Sequence, residues 1–242
     1  MQEWFEELKR QFTLNFIAQD RWRFLWDGLG VTLRITLFAL LIGTVIGVVV
    51  AIVRSTYDKN AQNMPRGAGR SILSISNAIC KLYLTVIRGT PVVLQLMIFY
   101  FIILTTIRSG EVIGIIAFGI NAGAYIAEIF RSGINSIDIG QFEAGRSLGF
   151  NYIQTMRYIV IPQAFKNILP TLANEFIVLL KETAVVGYVA VQDLTKAGDI
   201  IRGRTFSPFM PLIAVALIYL TLVMFFTWLV GRLERRLRAS ER

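Results

Sequence analysis

The chain has 242 residues, 55% hydrophobic and 17% charged, with positive mean hydropathy and a formal net charge of +9. That balance belongs to the polytopic membrane class and leaves no room for a large soluble domain beside the spans. Histidine is absent and Cys80 is the only cysteine, which excludes an intrachain disulfide, a His-based triad or proton relay, and metal centres built from Cys or His. No catalytic residue and no metal ligand is assigned. Gly67-Ala68-Gly69-Arg70-Ser71 imitates a phosphate-binding loop but lacks its lysine, and reads as a flexible loop. If ATP drives this protein, another chain must bind it. The basic excess gathers in segments that stay cytoplasmic, so nucleic acid is not expected as a partner.

Residues 1–28 set Trp4, Phe5, Leu8 and Phe12 against Glu6, Glu7, Lys9 and Arg10. This predicts an interfacial amphipathic helix on membrane lipid, with Trp22, Phe24 and Trp26 as aromatic anchors. The acidic start and the late, long apolar run argue against a signal peptide. Ile35 to Val53 is uncharged between Arg34 and Arg54 and sets the first span, about 33–54. Its Gly43 and Gly47 form a small-xxx-small step suited to close helix packing. Arg54 to Lys81 reads as polar, with Arg54, Lys59, Arg66, Arg70 and Lys81 against Asp58. The positive-inside rule puts this loop in the cytoplasm and the N-terminus outside.

The second span, 82–107, contains Arg88-Gly89-Thr90-Pro91. Proline removes one backbone bond, which Thr90 or a neighbouring helix can help satisfy. Arg88 reads equally as half of a structural ion pair or as a pathway residue. After an outer turn at Arg108 to Glu111, the third span, 112–134, carries Asn121, Tyr125 and Glu128. Glu128 and Arg131 are three apart and can neutralise each other; a substrate contact stays equally open. The fourth span, 170–190, holds Asn174, Glu175, Lys181, Glu182 and Thr183, a set that a lipid-facing helix would not tolerate. Asn174, Lys181 and Thr183 can line one broad side. Val191 to Ser207 should be solvated and outside, with a short helix capped near Asp193. The fifth span, 206–231, leads to a basic tail, 233–242, placed in the cytoplasm. No internal repeat stands out, and five spans do not make two inverted halves.

The longest polar interruption in the second half of the chain is the loop 138–170. Asp138 can cap a helix, with Gln141 able to reach back to the cap amide. Glu143 and Arg146 can pair on one face. Gly149 can end the helix in a left-handed conformation. Asn151 can cap a second helix, which Pro162 interrupts. Glu143-Ala144-Gly145, three residues, Gly149, nine residues, Ile159, one residue, Ile161-Pro162 resembles the cytoplasmic coupling loop of ABC importer permeases. Gly145 stands where that motif has Ala, and Ile161 where it has Leu. Arg88-Gly-Thr-Pro91, the run Ala124 to Ile134 and Lys181-Glu182-Thr183 resemble the polar-amino-acid uptake branch.

The resemblance implies an all-α polytopic protein of the ABC importer type I permease fold, with five transmembrane helices, N-terminus outside and C-terminus cytoplasmic. It implies a multi-pass subunit of the bacterial plasma membrane that moves a polar amino acid by alternating access. Glu143, Ala144, Gly145, Arg146, Gly149, Ile159 and Pro162 would couple to an ATPase dimer that holds ATP and Mg. Arg88, Asn121, Tyr125, Glu128, Asn174, Lys181, Glu182 and Thr183 are the substrate-pathway candidates. The other implied partners are a second permease subunit, identical or sister, and an extracytoplasmic amino-acid-binding protein. The competing reading is an ion-coupled carrier or channel that needs no ATPase.

Overall fold

The computed structural model describes residues 1–61, 64, 65 and 67–239. Arg66, Glu241 and Arg242 and the side chain of Arg238, all counted above among the charged residues, lie outside the described residues. The described residues form α-helices joined by π and 3-10 turns, and no strand. Four of these helices are long and apolar enough to cross a membrane: Trp22–Lys59, Ala68–Gly89, Gly110–Asn135 and Phe209–Leu237.

Helix α1 (Gln2–Phe12) leads through irregular turns to α2 (Trp22–Asn60). At about 1.5 Å per residue, α2 is far longer than a hydrocarbon core of about 30 Å. It takes in Trp22 and Trp26 at one end and Lys59 at the other. Helix α3 (Ala68–Gly89) then begins inside the stretch expected to be a polar loop. The reason is a stripe at helical spacing, Ile72, Ile75, Ile79, Leu82 and Val86, all exposed. The expected second span is not one helix. It breaks before Pro91, where Thr90 is extended at φ −124° and ψ 147°, as the proline ring demands of its predecessor. The Thr90 hydroxyl donates to the Val86 carbonyl at 2.9 Å. Helix α4 (Val92–Ile98) follows, extended by a π turn at Phe99–Ile103. Then come α5 (Gly110–Asn135), α6 (Ile139–Ser147), α7 (Tyr152–Thr155), α8 (Ile161–Glu182), α9 (Leu194–Thr205) and α10 (Phe209–Ala239). Helix α8 runs straight through Pro170, so it starts nine residues before the expected span, and it gives way to a 3-10 segment at Thr183–Val189.

The chain divides into two compact units. One comprises Met1–Ala39, Val92–Phe118 and Ile177–Trp228. Its core is Phe16, Leu25, Leu194, Ala197, Ile201 and Val215. Helix α9 is therefore only half solvated; its other face is core. Asp193, fully buried, caps α9 by accepting from the amides of Thr195 at 3.0 Å and Lys196 at 2.9 Å. A Cβ on Gly28 would lie 2.7 Å from the Asp193 carbonyl oxygen, so α2 needs glycine there. The N-terminal segment is pinned as well as amphipathic. Buried Asn15 donates to Ser207 Oγ at 3.2 Å and accepts from Thr205 Oγ1 at 2.8 Å. Ser207 in turn donates to Gln11 Oε1 at 2.9 Å.

The other unit comprises Leu40–Pro91, Gly119–Phe176 and the chain from Leu229 on. The expected glycine step is a close contact within it. A Cβ on Gly43 would sit 2.9 Å from Ala122 Cβ, and one on Gly47 2.6 Å from Ile126 Cγ2. Helices α2 and α5 thus meet backbone to backbone. Val50, Leu84, Ile87, Ala124 and Ala127 form the core around that contact.

Two outcomes are expected. Asn15→Leu leaves the Thr205 and Ser207 hydroxyls short of partners, at a cost of about 1–3 kcal/mol; hydrogen exchange should quicken over residues 2–20 and not over α5. Burial pushes the Asp193 carboxyl up, against the cap amides and Thr195 hydroxyl that favour its charge. A carboxyl raised on folding contributes stability at low pH and loses it as pH rises through the folded value. Asp193→Asn keeps an acceptor for the cap and removes that loss. The variant's Tm should gain on the wild type as pH rises above about 4, read by thermal unfolding in detergent.

Candidate functional site

The loop after α5 is a knuckle of two short helices. Asp138 caps α6, accepting from the Gly140 amide at 2.7 Å. The expected return contact from Gln141 is not made. Its Oε1 accepts from Gln163 Nε2 at 3.0 Å instead and ties α6 to α8. At the far end, Gly149 is left-handed at φ +78° with no atom near where a side chain would start. Conformation, not space, requires glycine here. The Phe150 amide donates to the Gly145 carbonyl and the Gly149 amide to the Arg146 carbonyl, at 3.0 and 2.9 Å. That pair of bonds is a Schellman ending. A full capping box opens α7: the Gln154 amide donates to Asn151 Oδ1 and the Asn151 amide to Gln154 Oε1, both at 2.9 Å.

Gly145 is the buried point of α6. A Cβ there would be 2.7 Å from both Thr155 Cγ2 and Thr155 Oγ1, which explains glycine where the related motif has alanine. Behind the knuckle, Ile134, Val160, Ala164 and Ile168 form a core, with Ile137, Phe142 and Met156 packed on it. Lys59 Nζ lies 3.9 Å from the Phe142 ring centre, a cation–π contact. Facing out are Ile139, Leu148, Ile153 and Tyr158, each more than 60% exposed, with exposed Glu143, Ala144 and Arg146. Glu143 and Arg146 form no ion pair. Both are solvated, where such a pair adds only about 0.2–0.5 kcal/mol. Pro162 does not interrupt a helix. The chain stays helical from Tyr152 through a π turn at Met156–Val160, holding Ile159, into α8, and the π turn is where the helix accommodates the proline's missing bond.

A charged cluster joins α3 and α5 in the same unit. Glu128 pairs with Arg131 at 3.0 Å and with Arg88 at 3.7 Å. Arg88 also lies 5.7 Å from the Tyr125 ring centre. Two guanidiniums share one carboxylate, so the cluster carries one net positive charge. Its side chains stay between 29% and 46% exposed, within reach of a solute. Asn121, one turn before Tyr125, is buried. Asn174 donates its amide to the Pro170 carbonyl at 3.1 Å.

Of the set expected to share one side, Asn174 and Lys181 are both exposed, but Thr183 is not. Lys181 is exposed and Glu182 half-buried, whereas Thr183 is fully buried and donates to the Leu180 carbonyl at 2.9 Å. Residues one or two apart on a helix do not face the same way, and the helix tightens to 3-10 geometry from Thr183 on. Lys59, Thr155 and Gln163 were not singled out as site residues in the sequence. Their only signal there is polarity flanking an apolar helix. Among the described residues no group of three or more Cys, Asp or Glu is placed to hold a metal.

A family model described as "binding-protein-dependent transport system inner membrane component" matches residues 67–239. The chain belongs to that family. It is 38% identical over 186 residues to the arginine transport system permease protein ArtQ of Bacillus subtilis, 70% of this chain and 84% of that one. It is 35% identical over 168 residues to the glutamine transport system permease protein GlnP of Escherichia coli K12, 68% of this chain and 77% of that one. Among solved structures, a chain of an amino acid ABC transporter crystallised with histidines superposes with a TM-score of 0.80 at 37% identity, covering 91% of this chain and 98% of that chain. A chain of the inward-facing MetNI methionine ABC transporter shares the fold, with a TM-score of 0.72 at 21% identity over 88% and 95% of the two chains. The all-helical architecture is thus that of ABC transporter membrane subunits.

Glu128→Gln removes the one carboxylate that neutralises Arg88 and Arg131. Solute uptake in reconstituted vesicles should fall at least about tenfold, equivalent to about 1.4 kcal/mol, while Arg10→Gln, on the N-terminal helix, should leave it unchanged.

Proposed function

We propose that this chain is the permease subunit of an ATP-binding cassette importer that carries a polar amino acid across the bacterial plasma membrane. The supporting observation is the knuckle, in a chain of this family: a rigid two-helix element with its inner face anchored and its outer face bare. Such an element transmits displacement rather than absorbing it. The proposed partner on that outer face is an ABC ATPase dimer, which binds ATP and Mg²⁺. Glu143, Ala144, Arg146 and the exposed apolar side chains meet its groove. Gly145, Gly149, Ile159 and Pro162 hold the knuckle's shape.

The proposed membrane arrangement has five crossings. Helix α8 with the 3-10 segment after it counts as the fourth, the N-terminus lies outside, and the knuckle and basic tail lie in the cytoplasm. A second permease subunit, a copy or a sister, completes the route. An extracytoplasmic binding protein delivers the amino acid. ATP binding closes the ATPases, the knuckles move with them, and the paired permeases open outward; hydrolysis resets the pair. Relatives named for glutamine and arginine support an amino acid with a polar side chain. The excess positive charge at Arg88 and Arg131 suits its carboxylate. Tyr125, Asn121, Asn174, Lys181, Glu182 and Thr183 stand as further pathway residues, Thr183 as a buried support.

The test is reconstitution with the ATPase and binding protein. Glu143→Lys reverses charge on the docking face, and Gly149→Val forces a branched side chain into a left-handed turn at about 1–2 kcal/mol. Each should lower amino acid taken up per ATP hydrolysed about tenfold, equivalent to about 1.4 kcal/mol, with membrane insertion unchanged. Wild-type coupling in both variants, or uptake by the purified chain without ATPase, would overturn the assignment.

A further inference from the structure

Behind α6 lies a cavity of about 530 Å³ bounded by the ends of α2 and α5 and by α7. Its floor is apolar, made by Phe142 and isoleucines of α5, α6 and the link between them. Its polar groups are Lys59, Arg146, Asn135, Tyr152 and Thr155, and among the described residues no carboxylate lines it. Lys59 is half-buried, and its ammonium faces the Phe142 ring, with no carboxylate among the described residues within ion-pair distance. Arg146 makes no ion pair either, although Glu143 lies one turn away. The Thr155 hydroxyl is buried and has no hydrogen-bond partner. Burial pushes the Tyr152 phenol up, so it is a neutral donor at physiological pH. Lys59 is a half-buried cation against an apolar wall with no counter-ion among the described residues, an incomplete arrangement, and exposed Arg146 stands at the cavity's mouth. Removing charge from water is costly unless an opposite charge meets it. The volume falls within the range of small-molecule sites, about 300–1,000 Å³.

We propose that this cavity binds a small organic anion, a carboxylate or phosphate on a compact apolar body. Lys59 and Arg146 take the charge, Asn135 and Tyr152 supply hydrogen bonds, and Phe142 and the isoleucines cover the body. A free metabolite and the headgroup of an anionic lipid share this chemistry. Because Phe142 and Arg146 belong to α6, occupancy would bias the knuckle; that consequence alone rests on the ATPase-docking reading.

The test uses the full chain in nanodiscs of neutral phosphatidylcholine, titrated by calorimetry with phenyl phosphate and with inorganic phosphate. Phenyl phosphate is expected to bind saturably, and more tightly than inorganic phosphate. Lys59→Gln and Arg146→Gln should each weaken it at least about tenfold, equivalent to about 1.4 kcal/mol, with helical circular dichroism unchanged. Arg10→Gln should not weaken it. Repeating the titration in phosphatidylglycerol nanodiscs separates the sources: a weakened apparent affinity assigns the site to lipid headgroups, and an unchanged one to a free anion. No saturable binding up to about 10 mM, or equal binding by the double variant with unchanged circular dichroism, overturns the proposal. The titration contains no ATPase, so its failure is distinct from failure of the transport assignment.

Discussion

The left-handed turn at Gly149 sets how α6 and α7 meet, and the behaviour of the knuckle follows from that angle. At φ +78° a residue with a side chain would carry strain, and the pair of bonds that closes α6 would weaken with it. Beside it, Gly145 lets α6 rest on Thr155 with no intervening side chain. The two glycines do different work: one bends the chain, the other brings two segments together. Between them the knuckle gains a fixed shape from backbone hydrogen bonds and contact, without disulfide or metal. This is why a segment with several of its apolar side chains exposed can still hold its shape.

Much of this was legible because it is local. Asp138, Asn151 and Asp193 were read as helix caps, and each accepts a backbone amide at its helix start. Gly43 and Gly47 announce a close approach, and Ala122 and Ile126 provide it. The pairing of Glu128 with Arg131 follows from spacing alone. What spacing could not weigh was competition. Gln141 had a cap amide in reach, but Gln163 took its side chain. Glu143 and Arg146 share a face but prefer water. Proline misled three times: Pro162 lies within continuing helix where an interruption was expected, and Pro91 and Pro170 misled in opposite directions. Pro91 ended a helix expected to continue, whereas Pro170 was absorbed by one expected to start there. The difference lies in the neighbours. Thr90 is extended and returns a hydroxyl to Val86, which stabilises a clean break. Residues around Pro170 stay helical, and Asn174 gives the proline carbonyl an added donor.

The polar loop expected after the first span shows a further limit. Arg54 to Lys81 was read by its charges, yet Ile72, Ile75 and Ile79 already carry the stripe of α3. Composition averages over faces, and a helix does not. The same averaging hid the buried face of α9, a helix that was expected but read as solvated, with Leu194, Ala197 and Ile201 on its core side. In both cases the period of the apolar residues holds the information that their number lacks.

Helix α5 gives the proposed mechanism a physical lever. Ile134, near its end, packs into the core behind α6, and Glu128 lies six residues earlier on the same helix. At about 1.5 Å per residue that is roughly 9 Å along a continuous helix. Its hydrogen bonds do not stretch to absorb a shift, so displacement of the knuckle core must reach Glu128 as movement of the whole segment. Close contact at Gly43 and Gly47 then obliges α2 to follow or to slide, because the glycines leave the two backbones little slack. Arg88 sits on α3, a different element, and its 3.7 Å pair with Glu128 is the longer of the two that carboxylate makes. When α5 moves, Arg131 travels with Glu128 and Arg88 does not have to. The Arg88 pair is therefore the contact such movement would open, which in the proposed mechanism would free a guanidinium for the substrate's carboxylate.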